Sequence, residues 1–364
     1  MGEQPAVVDV LVVGAGQAGL GTAHHLLRAG VTDVVVVEAA GAVGQVWRDR
    51  WESLRLFTPR RFSSLPGLPF PPGPARSPSR LEMADYLAAY ARRCGLPVRT
   101  SSPVVRLGRD GAGFTARTPD GVVRARHVVV ATGAYRRPRV PAAADDLDGS
   151  VHQVHSSAYR RPADLPEGPV LVVGGGNSAA QLALELAGRH AVTVAAPAEP
   201  RSLPERVLGV SIYWWLLLTG VLNAGASTPV GRFLRARPEA VLGRGLLRAV
   251  REGAVRLIPS PVVAADGPVV RLADGTRLRP RTVLWCTGFV PDTGWVDVPG
   301  ALTDDGSPRH ARGASPVAGL HWMGLPWQTR VNSSLIDGVD RDARRTARRI
   351  AAALRADADL RRAG

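Results

Sequence analysis

Two glycine-punctuated strand-to-helix starts, VLVVGAGQAG from Val10 and VLVVGGGNSA from Val170, predict an α/β protein with two Rossmann-like dinucleotide-binding domains. A third observation gives their connection. The apolar runs at residues 128–130 and 283–285 both leave through a Thr-Gly pair, Thr132-Gly133 and Thr287-Gly288. The second exit lies far beyond the second glycine start, so the chain must return to the domain it left. The first domain is accordingly discontinuous, residues 1–160 and 290–364, and the second, residues 161–289, is inserted into it.

In the first unit, residues 7–38, the valine-rich run preceding Gly14 reads as a strand buried on both faces of a parallel sheet. Gly14 permits the tight turn, Gly16 lets a pyrophosphate approach the backbone, and Gly19 lets the helix pack closely on the strand. Glu38 closes the next strand where a carboxylate can accept hydrogen bonds from a ribose diol. A 2′-phosphate placed there would meet a repulsion of roughly 4 kcal/mol at about 4 Å. This site therefore suits FAD or NAD, and not NADP.

Residues 41–80 carry little regular period but are rich in Gly, Pro and Arg, with Trp47, Trp51, Phe57 and Phe62 among them. A loop of this length in a compact domain is usually functional, and its aromatic residues suit the covering of a flat ring. Ser79 and Glu82 form a capping box for a helix over residues 81–93, with Met83, Leu87 and Tyr90 on one face. Turns at Asp110-Gly111 and Asp120-Gly121 predict a small antiparallel insertion that rejoins the main sheet at residues 128–130.

In the second unit Gly174, Gly176 and Ala179 take the three glycine positions, and Asn177 and Ser178 can hydrogen-bond phosphate or amide groups. The strand at residues 192–195 ends without Asp or Glu, so nothing there rejects a 2′-phosphate and NADPH is favoured over NADH. Arg201 is the candidate phosphate partner, with Arg189 a poorer one. With the nicotinamide housed here and an aromatic cover following Glu38, the first motif is assigned to FAD. The apolar run at residues 212–222 is too short for a membrane span and reads as a buried or tunnel-lining helix. Near the C-terminus, Gln328 and Asn332 lie in a polar, Trp-bearing loop ahead of a terminal helix starting near Asp340, whose dipole would face the flavin.

The bulk composition excludes other classes. The net charge of +15 arises from arginine alone, since the chain holds no Lys. The arginines are scattered, and those at residues 341–349 alternate with Ala343, Ala347 and Ile350 as on a solvated amphipathic helix face. No nucleic-acid role is expected. Cys94 and Cys286 are the only cysteines and form no CxxC pair, which excludes a dithiol mechanism. No metal cluster is expected. Ala6 stands where a myristoylation signal wants Ser or Thr, and no signal peptide is read, so a cytoplasmic location is expected.

With both glycine motifs and both exits in hand, the chain resembles the class B flavoprotein monooxygenases, in particular bacterial flavin-containing monooxygenase-like enzymes, nearly end to end. The matching residues are Gly14, Gly16, Gly19 and Glu38 for FAD, and residues 44–47, including Gln45 and Trp47, with Leu56, Thr58 and Pro59 over the flavin. Residues 131–133, Gly174, Gly176 and Ser178 for NADPH, residues 287–289 and the closing GLPWQTRVNSSLIDGVDRDA match as well. In the family fingerprint FxGxxxHxxx(Y/W), the histidine and aromatic positions are His155 and Tyr159, while Gly149 and Val151 replace its Phe and Gly.

The resemblance implies an NADPH-dependent monooxygenase that places one oxygen of O₂ on a soft nitrogen or sulfur nucleophile of a small molecule, through a flavin C4a-(hydro)peroxide. Tyr159 in place of tryptophan favours this over Baeyer-Villiger chemistry; a flavin-dependent reductase or electron-transfer protein without oxygenation is the other alternative. His155, Tyr159, Gln328 and Asn332 are the expected positioning residues, and a homodimer is compatible with the family pattern.

Overall fold

The computed structural model describes residues 7–111 and 113–363; the myristoylation reading falls on the first six residues and lies outside these. The valine run forms the strand Val7–Val13, buried from Val10 onward. It lies parallel to Val34–Val37 on one side and to Gly121–Val130 on the other. Continuous burial on both faces is what lets an unbroken apolar run stand as a central strand. From Gly121–Val130 the sheet extends through Gly113–Thr118, Arg106–Asp110 and Val296–Asp297, and Val98–Arg99 ends the opposite edge. The middle of this path is the expected antiparallel meander. Leu320–Trp322 also pairs with Gly121–Val130, bringing the C-terminal section back into the first sheet.

The helix Gln17–Arg28 covers this sheet and packs against the terminal helix Val339–Ala363 within one apolar core. The approach is close because Gly21 has no side chain: a Cβ there would sit 3.1 Å from a Val339 methyl. On the terminal helix Ala343, Ala347 and Ile350 are buried, as their spacing predicts.

The second sheet is wholly parallel, in the order Val255–Ile258, Val192–Ala195, Val170–Val173, Thr282–Trp285, His152–His155. Its last strand corrects the expected boundary. His152–His155 belongs to the second sheet, so the chain crosses over before residue 152 and not at 160. The signal was weak because HQVH lacks the apolar run that marks a doubly buried strand, and its edge position leaves His152 and Gln153 exposed.

Residues 41–80 are ordered by specific ties more than by regular structure. The capping box forms as expected: Ser79 Oγ accepts from the Glu82 N–H, and the Glu82 carboxylate accepts from the Ser79 N–H at 2.8 Å. From the same helix, the Tyr86 hydroxyl accepts from the Leu65 N–H at 2.6 Å and donates to the Leu68 carbonyl at 2.7 Å. Tyr90 donates to the Pro66 carbonyl at 2.8 Å. Leu56, Leu65 and Phe70 join the core of the first domain, whereas Trp51 and Leu54 join that of the second. The segment therefore staples the two domains together.

The run at residues 212–222 departs from expectation. It forms the helix Ile212–Leu218, in which Tyr213 is buried but Trp214, Leu217 and Leu218 are 41%, 39% and 79% exposed. The apolar run gave no phase, and a seven-residue helix standing off the domain surface covers only one side. Among the described residues no helix is long and apolar enough to cross a membrane.

One buried pair has a consequence for stability. His321 is 5% exposed and stacks on His127 at 5.9 Å between ring centres. Burial, with His127 beside it, pushes the His321 pKa down to about 3. In the unfolded chain a histidine takes its proton near pH about 6.5. Between these values the unfolded chain binds a proton that the folded chain refuses, so stability falls as pH falls through this window. Thermal unfolding followed from pH 7 to pH 5 should show a declining midpoint, with a shallower decline in His321→Leu; an unaltered slope in that variant would count against this origin.

Candidate active site

The helices Gln17–Arg28 and Asn177–Leu186 start in the same way. Gly16 and Gly176 are their N-caps, neither receives a side-chain cap, and neither helix has an acidic residue in its first turn. Uncapped first-turn amides with an aligned dipole make an anion site. The glycines divide into two kinds. At Gly14 (φ +103°) and Gly174 (φ +136°), a Cβ would fall 2.7 Å from the Ala131 carbonyl oxygen and 2.3 Å from that of Cys286. These two allow each turn to press against the neighbouring strand exit. At Gly16 and Gly176 a Cβ would meet nothing within 4 Å. Those two face open space at the helix end, a cradle that fits a pyrophosphate.

Glu38 sits beside the first cradle and braces it. Its carboxylate accepts from the Ala15 N–H at 2.7 Å and the Ala40 N–H at 2.9 Å, fixing the negative charge at the strand end. The exits complete the geometry: Gly133 and Gly288 both face open space, while Thr132 and Thr287 are half-buried beside them. Thr287 donates to the Arg139 carbonyl, and the strands Arg137–Pro138 and Phe289–Val290 pair across the two crossings.

His155 lies at this double crossing. Its Nδ1 accepts from the Ser157 N–H at 3.1 Å, so Nε2 carries the proton and donates to the Gly288 carbonyl at 3.1 Å. Burial lowers its pKa against the opposing pull of that hydrogen bond, and the imidazole is neutral. Its ring meets Phe289 edge-to-face at 5.1 Å, and Tyr135 meets the other side of Phe289 at 5.5 Å.

Three residues here escaped the sequence reading. Arg50 lies over the Phe289 ring at 5.5 Å, its pKa lowered by burial, with no carboxylate in ion-pair range among the described residues. Tyr135 is 50% exposed, yet burial raises its hydroxyl pKa. That combination marks a cleft wall, open to water but hemmed in. Glu239 is also exposed with a carboxyl raised by burial, and its charge acts on Tyr135 and Tyr213. For Arg50 the available signal was its place as the second arginine of WRDRW, residues 47–51, between two tryptophans. Glu239 had none, since it reaches the cleft only through the fold.

Several expected residues are used otherwise. Tyr159 is 2% exposed in the core of the second domain, its hydroxyl unpartnered near Glu185, and is not at the crossing with His155. Gln328 is 3% exposed and turned inward, with Nε2 on the Met323 sulfur at 3.4 Å and Oε1 accepting from the Leu325 N–H. Asn332 donates Nδ2 to Asp337 at 2.8 Å, so the atom left unpartnered is its buried Oδ1. Asn177 Oδ1 accepts from the Leu242 N–H at 2.9 Å, holding the strand Val241–Leu242. The Gln45 amide is held by Asp49 at 2.8 Å. Trp47 packs against both domain cores with its indole N–H buried and unpartnered. Ser178 is half-buried in the first turn behind Gly176, and the Arg201 side chain is exposed on the loop after Val192–Ala195.

Beside the second glycine helix lies a cavity of 360 Å³, walled by Phe57, Ile212, Tyr213 and Leu246 with Arg55 and Arg76 at its edge. Its size is in the range of small-molecule sites.

Comparison with known proteins is consistent with this geometry. Residues 11–213 match the family model described as pyridine nucleotide-disulphide oxidoreductase. An uncharacterized CzcO-like oxidoreductase from Geobacillus kaustophilus is 39% identical over 93% of this chain and 96% of its own length. An indole-3-pyruvate monooxygenase, YUCCA1, from Oryza sativa is 30% identical over 85% of this chain and 82% of its own. Among solved structures, a flavin-containing monooxygenase from Stenotrophomonas maltophilia superposes with a TM-score of 0.79 at 29% identity, covering 96% of this chain and 99% of that one.

Proposed function

The chain belongs to the pyridine nucleotide-disulphide oxidoreductase family, as an FAD- and NADPH-dependent oxidoreductase of the flavin-monooxygenase type, and from that premise we propose that it oxygenates a soft nitrogen or sulfur nucleophile. The observation that carries this reading is a pair of open glycine cradles with no dithiol to serve them. Cys94 ends a helix of the first domain, and Cys286 lies in the second, both thiols free. Burial pushes the Cys286 thiol up to about 12, where it is not a nucleophile. Electrons passed between the cradles therefore leave by a route other than a dithiol of this chain.

FAD would lie in the cradle of Gly14, Gly16 and Gly19, with its ribose at Glu38 and its ring beneath the segment around Gln45 and Trp47. NADPH would lie on Gly174, Gly176 and Ser178, with Arg201 at the 2′-phosphate. Bound there, the pair supplies hydride transfer and the activation of O₂. The protein's contribution is position and exclusion of water. His155 ties the Gly288 exit to the second sheet's edge strand, Phe289 and Tyr135 wall the crossing, and the stapling segment holds the two cradles at fixed separation. Orientation of this kind can remove several kcal/mol of barrier. A soft nucleophile attacks oxygen directly and requires no charged base, which agrees with a neutral His155 whose one proton is committed to a carbonyl.

The test is product mass after turnover in ¹⁸O₂ with an amine, a sulfide and a ketone of similar size. Label in the amine or sulfide product supports the reading. Label confined to a ketone-derived ester assigns Baeyer-Villiger chemistry, and NADPH consumption with hydrogen peroxide but no labelled product assigns a reductase.

Arg201 makes a separate expectation. Its exposed guanidinium meets the 2′-phosphate only in NADPH, so Arg201→Ala should raise the KM for NADPH about tenfold while leaving that for NADH within about twofold, the loss of one exposed charge-assisted contact. An unchanged preference between the two would remove Arg201 from the site.

A further inference from the structure

The hairpin and short helix of the inserted domain expose apolar surface that the described residues leave largely open to solvent. Arg206–Val207 and Val210–Ser211 pair as a hairpin with Leu208 at its turn, and the helix Ile212–Leu218 follows directly. Leu208 is 86% exposed, Leu218 79%, Val210 43%, Trp214 41% and Leu217 39%. On a helix, Trp214, Leu217 and Leu218 fall within an arc of about 100°, with the buried Tyr213 just outside it, about 40° beyond Leu217. The tip is rigid: the Trp215 indole N–H donates to the Val207 carbonyl at 3.1 Å, and Phe62 meets Trp214 edge-to-face at 5.1 Å. Leu208 is held at the turn with φ 49°, where a leucine is strained.

Charge decides what covers this face. From Arg206 to Arg237 the chain carries Arg206, Arg232, Arg235 and Arg237 and neither Asp nor Glu, in a protein of net charge +15. Arg206 donates to the Gly209 carbonyl at 2.8 Å, beside Leu208, and the Arg61 guanidinium lies 5.3 Å over the Trp214 ring. Glu205 at the hairpin base and Glu239 just beyond Arg237 are the nearby carboxylates in the sequence, fewer than the arginines. The five residues present an apolar area on the order of 500 Å², the size of patch that often marks a functional surface. A second copy docked on this face would bring like charge against Arg206 and Arg61. An apolar tip flanked by Arg206 and Arg61, in a strongly basic protein, matches an anionic bilayer surface, where leucine and tryptophan enter the interface and guanidinium groups meet phosphate.

We propose that this tip docks the protein peripherally on anionic phospholipid, with Leu208 and Leu218 inserted and the arginines at the headgroups. The test is co-sedimentation of the full-length FAD-loaded protein with vesicles of phosphatidylglycerol and phosphatidylcholine, against vesicles of phosphatidylcholine alone. Binding is expected to the anionic vesicles, weakened by salt. Leu208→Asp with Leu218→Asp should weaken it at least tenfold, whereas Val263→Asp with Leu360→Asp, an equal charge change at sites 55% and 73% exposed elsewhere, should leave it within twofold. Retained FAD and an unaltered unfolding midpoint establish that both doubles fold. No binding to anionic vesicles, equal loss in both doubles, or conversion of a dimer to a monomer by the first double without loss of vesicle binding would each overturn the proposal.

Discussion

Gly176→Val is expected to give a folded, yellow protein whose flavin NADPH reduces on the order of 100-fold more slowly, a loss of roughly 3 kcal/mol in recognition of the reductant. A Cβ at Gly176 touches no protein atom within 4 Å, and the residue's φ of −90° is open to any amino acid. The substitution therefore meets no clash at its Cβ, and its cost to folding is that of a poorer helix N-cap, about 1 kcal/mol or less. The isopropyl group instead fills the space that a pyrophosphate needs at the uncapped helix end. Gly174→Val, two residues earlier, serves as the contrast. There the side chain would begin 2.3 Å from the Cys286 carbonyl oxygen at φ +136°, so the second sheet itself must distort. Anaerobic mixing with NADPH, followed by dithionite, separates the two cases. In Gly176→Val only dithionite should bleach the flavin rapidly, with the unfolding midpoint nearly preserved. Normal NADPH reduction in that variant would remove the nicotinamide from the second cradle.

That contrast also explains how far the sequence could be read. The glycine turns, the capping box and the antiparallel meander were legible because each is written within a few consecutive residues: GxGxxG after a valine run, Ser79 three positions before Glu82, Asp-Gly at each turn. The two-domain wrap followed from the order of those local signals. What failed was side-chain direction at long range. Gln328, Asn332 and Tyr159 are polar groups of the expected types, but folding sends the Gln328 and Asn332 amides to the Met323 sulfur and Asp337 and buries the Tyr159 hydroxyl without a partner near Glu185. Arg50, Tyr135 and Glu239 reach the cleft from three separate segments, so no window of sequence contains them together. The boundary near residue 152 was missed because an edge strand needs only one covered face and displays no valine run.

Gly19→Ala is expected to abolish the folded, flavin-loaded protein with a single methyl group. A Cβ at Gly19 would lie 1.8 Å from the Gly14 carbonyl oxygen and 3.4 Å from a Val12 methyl. The first contact is with backbone and cannot be relieved by a rotamer change. The helix Gln17–Arg28 would have to lift from the strand it follows, and it carries the Gly21 contact with Val339 and much of the first core with it. With a domain's whole stability only about 5–15 kcal/mol, the expected result is aggregated or colourless protein.

Gly16→Val tests the other half of the same motif. Its Cβ meets no protein atom within 4 Å, so the chain should fold with an unfolding midpoint close to that of the parent protein stripped of FAD, yet retain less than about a tenth of the flavin, because the pyrophosphate's approach is blocked. Gly21→Ala is the control for the helix itself: its new methyl meets side chains and no backbone, a Val339 methyl at 3.1 Å and the Ala343 methyl at 3.9 Å, so a smaller loss of stability than for Gly19→Ala is expected. Soluble yield, the absorbance ratio of flavin to protein and thermal unfolding distinguish the three. If Gly16→Val and Gly19→Ala behaved alike in all of these, the division of the motif into one glycine for the fold and one for the ligand would be wrong, and with it the inference that the open space at each helix end is where the dinucleotides bind.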